Sequence, residues 1–147
     1  MIRVQAEPFD PGAELAAFIA RTPGAGAVAS FVGLVRAESD GRAVSGLELD
    51  HYAGLTGTAI SGIADDARAR FHLSDLVVIH RYGALMPSQP IVFVAAAAPH
   101  RRAAFEAVDY VMDRLKTEAP FWKREHGPDG ARWIEARVTD VEDKARW

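Results

Sequence analysis

Lys116 and Lys123 flank Pro120-Phe121-Trp122 in the stretch Leu115-Lys116-Thr117-Glu118-Ala119-Pro120-Phe121-Trp122-Lys123-Arg124-Glu125. They are two of only three lysines in the chain; the third is Lys144, and the other positive charges among 17 Lys+Arg are arginines. Arginine keeps its proton in water. A lysine whose ammonium is partly desolvated can lose it and act as a base or nucleophile. An apolar wall built from Phe121 and Trp122 would desolvate Lys123 and lower its pKa. The plainer alternative is that both aromatics are core residues and the two lysines fall together by chance.

Two other local features place cations beside apolar segments. Phe31-Val32-Gly33-Leu34-Val35-Arg36 puts an arginine at a strand end next to a glycine-containing loop; a surface arginine closing a strand would look the same. Pro99-His100-Arg101-Arg102 puts donors in a first helical turn, where free N–H groups and the helix dipole favour an anion. A helix built only for stability would carry Asp or Glu there, so the basic residues suggest a phosphate site; His100 acting as a simple cap is the alternative. If Pro99 to Leu115 is one straight helix, His100 and Lys116 lie about 24 Å apart at roughly 1.5 Å per residue. One small substrate cannot touch both ends. There are then two sites, or one site shared across a dimer, and the second arrangement is the expectation.

These residues must be positioned by one domain spanning 1–147, of ordinary globular composition: 49% hydrophobic and 25% charged. The net charge of -3 argues against general nucleic-acid or membrane binding. The apolar run Pro90–Ala98 is too short to span a bilayer, and Met1-Ile2-Arg3-Val4 is no signal peptide, so a cytoplasmic protein is expected. With no cysteine, disulfides, thiolate nucleophiles, persulfides and Cys-type metal sites are excluded. The five histidines show no helical zinc spacing, and no metal or cofactor is expected.

The order of elements reads as α+β. Strands are expected at Ile2–Val4, Ala27–Arg36, Val44 to about Tyr52, Leu76–Gly83, Ile91–Ala98 and Trp133–Arg137, with pairing antiparallel in part. Helices are expected at Glu14–Arg21, at Thr56–Phe71, and from Pro99 to near Ala119, where Pro120 must end the last. The loop Ala37–Arg42, rich in charge, reads as a mobile segment.

Several blocks, in order from about Gly26 to Trp147, resemble the large, catalytic subunit of molybdopterin synthase. They are Ser30–Arg36, Leu49-Asp50-His51-Tyr52, Val78–Gly83, Ala98-Pro99-His100-Arg101, Met112–Thr117, Ala119–Glu125 and Trp133–Arg137. The resemblance implies an α/β hammerhead-type fold with an additional antiparallel β subdomain. It implies a homodimer that forms a heterotetramer with two copies of a small ubiquitin-like sulfur-carrier subunit ending in a Gly-Gly thiocarboxylate. The implied reaction moves two sulfurs onto cyclic pyranopterin monophosphate to form the molybdopterin dithiolene. Carried over by position, Lys116 and Lys123 would be catalytic. Leu34, Val35, Arg36, His100, Arg101, Lys116, Lys123, Arg124 and Glu125 would bind substrate, and Phe31, Met112 and Arg137 would line the pocket. The family often has lysine where this chain has Leu34, so the backbone would contribute there.

The missing cysteine agrees with this implication, since sulfur transfer then needs an outside donor. The main competing reading is a non-catalytic phosphate- or nucleotide-binding regulatory domain, which uses Arg36, His100 and Arg101 but leaves the two lysines unexplained. A partner-binding scaffold explains the aromatics but not the cations.

Overall fold

Two strands of this chain are apolar on both faces, and the architecture follows from covering both. The computed structural model describes residues 1–147. Strands β1 (Ile2–Gln5), β2 (Ala27–Leu34), β6 (Asp75–Arg81) and β8 (Pro90–Ala98) form one sheet in the order β1-β6-β8-β2. The β1–β6 pair is parallel and the other two pairs are antiparallel. Because side chains alternate along a strand, β6 and β8 divide their apolar residues between the faces. Leu76, Val78, Val94, Ala96 and Ala98 belong to one cluster; Val77, Ile79, Phe93, Ala95 and Ala97 belong to another.

Helix α1 (Pro11–Ala20) covers the second face with Phe18. It starts three residues earlier than the sequence suggests, because Asp10 caps it, accepting from the N–H of Gly12 at 2.8 Å, and Pro11 occupies the first turn. Helices α2 (Leu55–Phe71) and α3 (Arg101–Glu118) cover the first face with Ile60, Ile63, Ala64, Ala104, Ala107 and Val111. Each fully buried Val, Leu, Ile or Phe contributes about 1.5–3 kcal/mol of transfer free energy to this core. No helix is long and apolar enough to cross a membrane.

A second, antiparallel sheet carries β5 (Gly46–His51), β7 (Gly83–Leu85), β9 (Phe121–Gly127) and β10 (Gly130–Ile134) in the order β10-β9-β5-β7. The α+β class and the added antiparallel subdomain expected from the sequence are both present.

Four local expectations are corrected. Residues 37–42 fall within a small hairpin, β3 (Glu38–Ser39) against β4 (Arg42–Ala43), turning through the positive φ of Asp40 and Gly41. Pro99 does not open a helix: α3 starts at Arg101 behind an extended His100. Gly26 sits so close to Pro99 that a Cβ there would lie 2.0 Å from the Pro99 carbonyl oxygen. Gly83 does not close β6 but begins β7, with φ of 90° turning the chain between the sheets. Last, the final strand ends at Ile134. Arg137 is instead the N-cap residue of helix α4 (Val138–Lys144), its N–H donating to Asp140 Oδ2 at 3.0 Å.

Candidate active site

Pro120 sets the geometry of the site. It forces Ala119 out of helical conformation (φ -72°, ψ 124°), so α3 ends there and β9 begins at once with Phe121. Buried Thr56 holds this corner: its hydroxyl donates to the Pro120 carbonyl at 3.0 Å and accepts from the Tyr52 N–H at 3.1 Å. Lys116 therefore projects from the last turn of α3, where a cation suits the negative end of the helix dipole. Lys123 projects from β9.

Both lysines line one cavity of about 760 Å³ between the two sheets and the end of α3. Its wall is mainly apolar, with Phe31, Leu49, Ile91, Met112 and Phe121 among the contributors. Three cations line it, Arg36, Lys116 and Lys123, against one carboxylate, Glu135. Such a chamber suits an anionic ligand with a flat apolar body.

The two lysines differ in environment. Burial, then the neighbouring Lys116 cation, push the Lys123 ammonium below the ordinary lysine range, and Asp140 opposes only part of this. Lys116 is exposed and lies 3.2 Å from Asp140 Oδ1. Burial acts to raise the Asp140 carboxyl, but the Arg137 N–H and the Lys116 ammonium outweigh it and hold the group below the usual carboxylate range. Asp140 is a member of this site that no motif in the sequence announced; only the fold-back of α4 onto α3 brings it near.

The approach of β2 is equally specific. A Cβ on Gly33 would meet Val92 Cγ1 at 2.6 Å, so glycine lets β2 lie tight on β8. The register then shifts between Gly33 and Leu34. Beyond this irregularity Leu34 and Arg36 turn to the cavity while Val35 is buried with Leu49 and Leu85.

Phe31, Leu34, Arg36, Met112, Lys116 and Lys123 are thus brought together. The other candidates lie outside the cavity lining. Arg124, on the opposite face of β9 from Lys123, donates to Glu48 Oε2 at 2.7 Å. Glu125 is buried and pairs with Arg132 at 3.3 Å. Arg137 is exposed at the head of α4. His100 and Arg101 are exposed at the far end of α3, and the His100 side chain makes no cap hydrogen bond, which removes the capping alternative.

Sequence reasoning also passed over His80. It lines the cavity, is buried, and stacks on Phe121 with ring centroids 4.0 Å apart. Burial lowers its pKa to about 4, aided by the Lys123 cation and opposed by the Arg81 carbonyl, so the ring is neutral at neutral pH. Its place in a strand of continuous apolar residues was the available signal, since a histidine there is flanked by core on both sides.

Comparisons with known proteins converge. A family model described as MoaE protein matches residues 4–118. The molybdopterin synthase catalytic subunit of Ralstonia nicotianae is 54% identical over 146 residues, covering 99% of this chain and 83% of that protein. The subunit of the same name from Pseudomonas aeruginosa is 51% identical, covering 99% and 97%. The solved structure of the molybdopterin biosynthesis MoaE protein from Burkholderia ambifaria superposes with a TM-score of 0.85 at 49% identity, covering 100% of this chain and 97% of that one.

Proposed function

The chain belongs to the MoaE protein family, and on that premise we propose that it is the catalytic subunit of a molybdopterin synthase. It transfers sulfur from the C-terminal thiocarboxylate of a small ubiquitin-like carrier to cyclic pyranopterin monophosphate, forming the dithiolene of molybdopterin. It works as a cytoplasmic homodimer, with one carrier at each end of a heterotetramer, and residues 1–147 act as one catalytic unit.

The observation that carries this reading is that Lys116 and Lys123 share one largely apolar cavity in a chain with no cysteine. The cavity offers cations but no sulfur nucleophile, as expected when the sulfur arrives on a partner. The thiocarboxylate sulfur bonds to a pterin side-chain carbon as that carbon's bond to oxygen breaks, the oxygen leaving on the opened cyclic phosphate or, once protonated, as water. Water then cleaves the bond between the carrier's acyl carbon and that sulfur, leaving sulfur on the pterin and a carboxylate on the carrier. The second half passes through an oxyanion. A preorganised cationic donor near such an oxygen is typically worth about 3 kcal/mol of barrier. Lys116, half exposed at the cavity wall, suits that role at the carrier's carbonyl. Lys123, with its lowered proton affinity, suits proton transfer at the carbon receiving sulfur. Arg36 offers charge to the substrate phosphate, and Phe31 and Met112 pack on the ring system. His100 and Arg101 belong to the site only through a second subunit, given the helix length between them and Lys116.

The test is to incubate the protein with thiocarboxylated carrier and the cyclic pterin. Dithiolene product is expected; pterin binding without turnover would favour the regulatory phosphate-binding domain instead.

A further inference from the structure

His80 lies at the end of β6, where the strand meets the cavity, and its ring is held by two contacts. Nδ1 is 2.8 Å from the Arg81 carbonyl oxygen. A carbonyl oxygen only accepts, so Nδ1 carries the proton and Nε2 keeps its lone pair. The Phe121 ring lies nearly parallel to the imidazole, at 21° between planes, and restricts its rotation. Nε2 has no hydrogen-bond partner in the protein, yet it is not among the sealed atoms that lack one, so it opens toward the cavity. Lys123 follows Phe121 by two residues on β9 and lies on the same face of that strand. Its Nζ also has no ion pair and reaches the same cavity. The charges around it are Lys116, which repels it, and Asp140, which is already engaged by Lys116 and the Arg137 N–H.

We propose that His80 is a positioning residue for Lys123: its Nε2 and the Lys123 ammonium both lack a hydrogen-bond partner in the structure, and a turn of the flexible lysine side chain gives one ammonium N–H to the Nε2 lone pair and so aims the remaining ones at the bound substrate. A neutral acceptor suits this task better than a carboxylate. It orients the ammonium without clamping it in an ion pair, and it adds no negative charge to a cavity meant for anions. The carbonyl of Arg81 is what makes His80 an acceptor, because it fixes the tautomer from behind. The role in turnover rests on the sulfur-transfer reading above, whereas the His80–Lys123 contact itself can be read without turnover.

With only three lysines in the chain, ε-15N-lysine labelling gives three side-chain signals, assignable with Lys116→Arg and Lys144→Arg. His80→Phe keeps a stacking ring and removes the acceptor. Its Lys123 signal is expected to titrate at lower pH than in the wild type, because burial stays and a partner of the charged form is gone. An unmoved or raised midpoint overturns the proposal. In the sulfur-transfer assay, kcat is expected to fall about tenfold, the scale of one hydrogen bond to a charged group, with little change in KM for the pterin. His80→Gln, whose amide oxygen can accept, should recover most of that loss; no recovery by a folded His80→Gln protein counts against the role. Should His80→Phe fail to fold, 15N shifts of the wild-type ring decide. Nδ1 protonated and Nε2 bare at neutral pH supports the assignment, and a proton on Nε2 overturns it. If the titration shift appears but no variant or wild type makes dithiolene, the contact stands and the reaction assignment fails.

Discussion

The ammonium of Lys116 and the carboxylate of Asp140 lie 3.2 Å apart, joining the end of α3 to the first turn of α4. A cation proposed to act in catalysis therefore rests on a carboxylate that also closes the start of a helix. Substituting Asp140 should separate these duties. In Asp140→Asn an amide oxygen can still accept the Arg137 N–H, so stability should change by less than about 1 kcal/mol. The cavity loses a nearby negative charge, and the pterin phosphate should bind several-fold tighter by calorimetry. Asp140→Ala also loses the cap and should be less stable by about 1 kcal/mol in thermal melts.

Lys116→Ala should abolish dithiolene formation while leaving carrier binding largely intact, as read by turnover alongside a pull-down of the carrier. Near-normal turnover would remove Lys116 from the mechanism.

Acid sensitivity should report on His80. Its folded pKa of about 4 lies below the ordinary value of 6.5, so between those pH values the unfolded chain binds more protons than the folded one. The stabilising contribution of the neutral, buried ring is then fully present above about pH 6.5 and is lost as the pH falls toward 4. Its size is about 3 kcal/mol at 1.36 kcal/mol per pKa unit. Urea titrations of wild type and His80→Gln across this range should show that slope only in the wild type.

How much of this could be read from the chain depended on whether the signal was local. Helices α2 and α3 were legible because Ile60, Ile63, Ala64, Ala67 and Phe71, and likewise Phe105, Val108, Met112 and Leu115, recur at helical spacing, although Phe105, expected in the buried stripe, is exposed. The lysine pair was legible because Pro120 forces a break between them. β9 was not read as a strand, since Trp122, Lys123, Arg124 and Glu125 give no apolar alternation. Their places are set by pairing with β5 and by ion pairs to Glu48 and Arg132, partners distant in sequence or across a hairpin. Asp140 and His80 were missed for a related reason. Asp140 stands in no pattern of its own, and His80, though set in an apolar strand, takes its place in the site only through Phe121, which stacks on it from β9.

Gly26→Ala should destabilise the fold by about 1–3 kcal/mol, as overpacking does, because the new methyl group would meet the Pro99 carbonyl oxygen at 2.0 Å. Gly24→Ala, with open space around it but φ of 86°, tests backbone strain without a clash. A larger loss of melting temperature for Gly26→Ala would separate the two effects.

Complementation tests the shared site. A Lys116→Ala chain mixed with an Arg101→Ala chain should recover roughly a quarter of wild-type activity if random two-fold pairing gives half heterodimers, each with one intact site. No recovery would mean that each site is built within one chain.

Only Thr117 to Trp122 separate the two lysines, and the Thr56–Pro120 contact pins the corner between them. Because strand side chains alternate, one residue gained or lost here would shift β9 by one position against β5 and send Trp122 or Arg124 inward in place of Lys123. The length of this segment is thus as binding a requirement as the identity of either lysine. Variation by insertion or deletion should be tolerated at the Gly127–Gly130 turn, whose far end opens to solvent, and forbidden between residues 116 and 123.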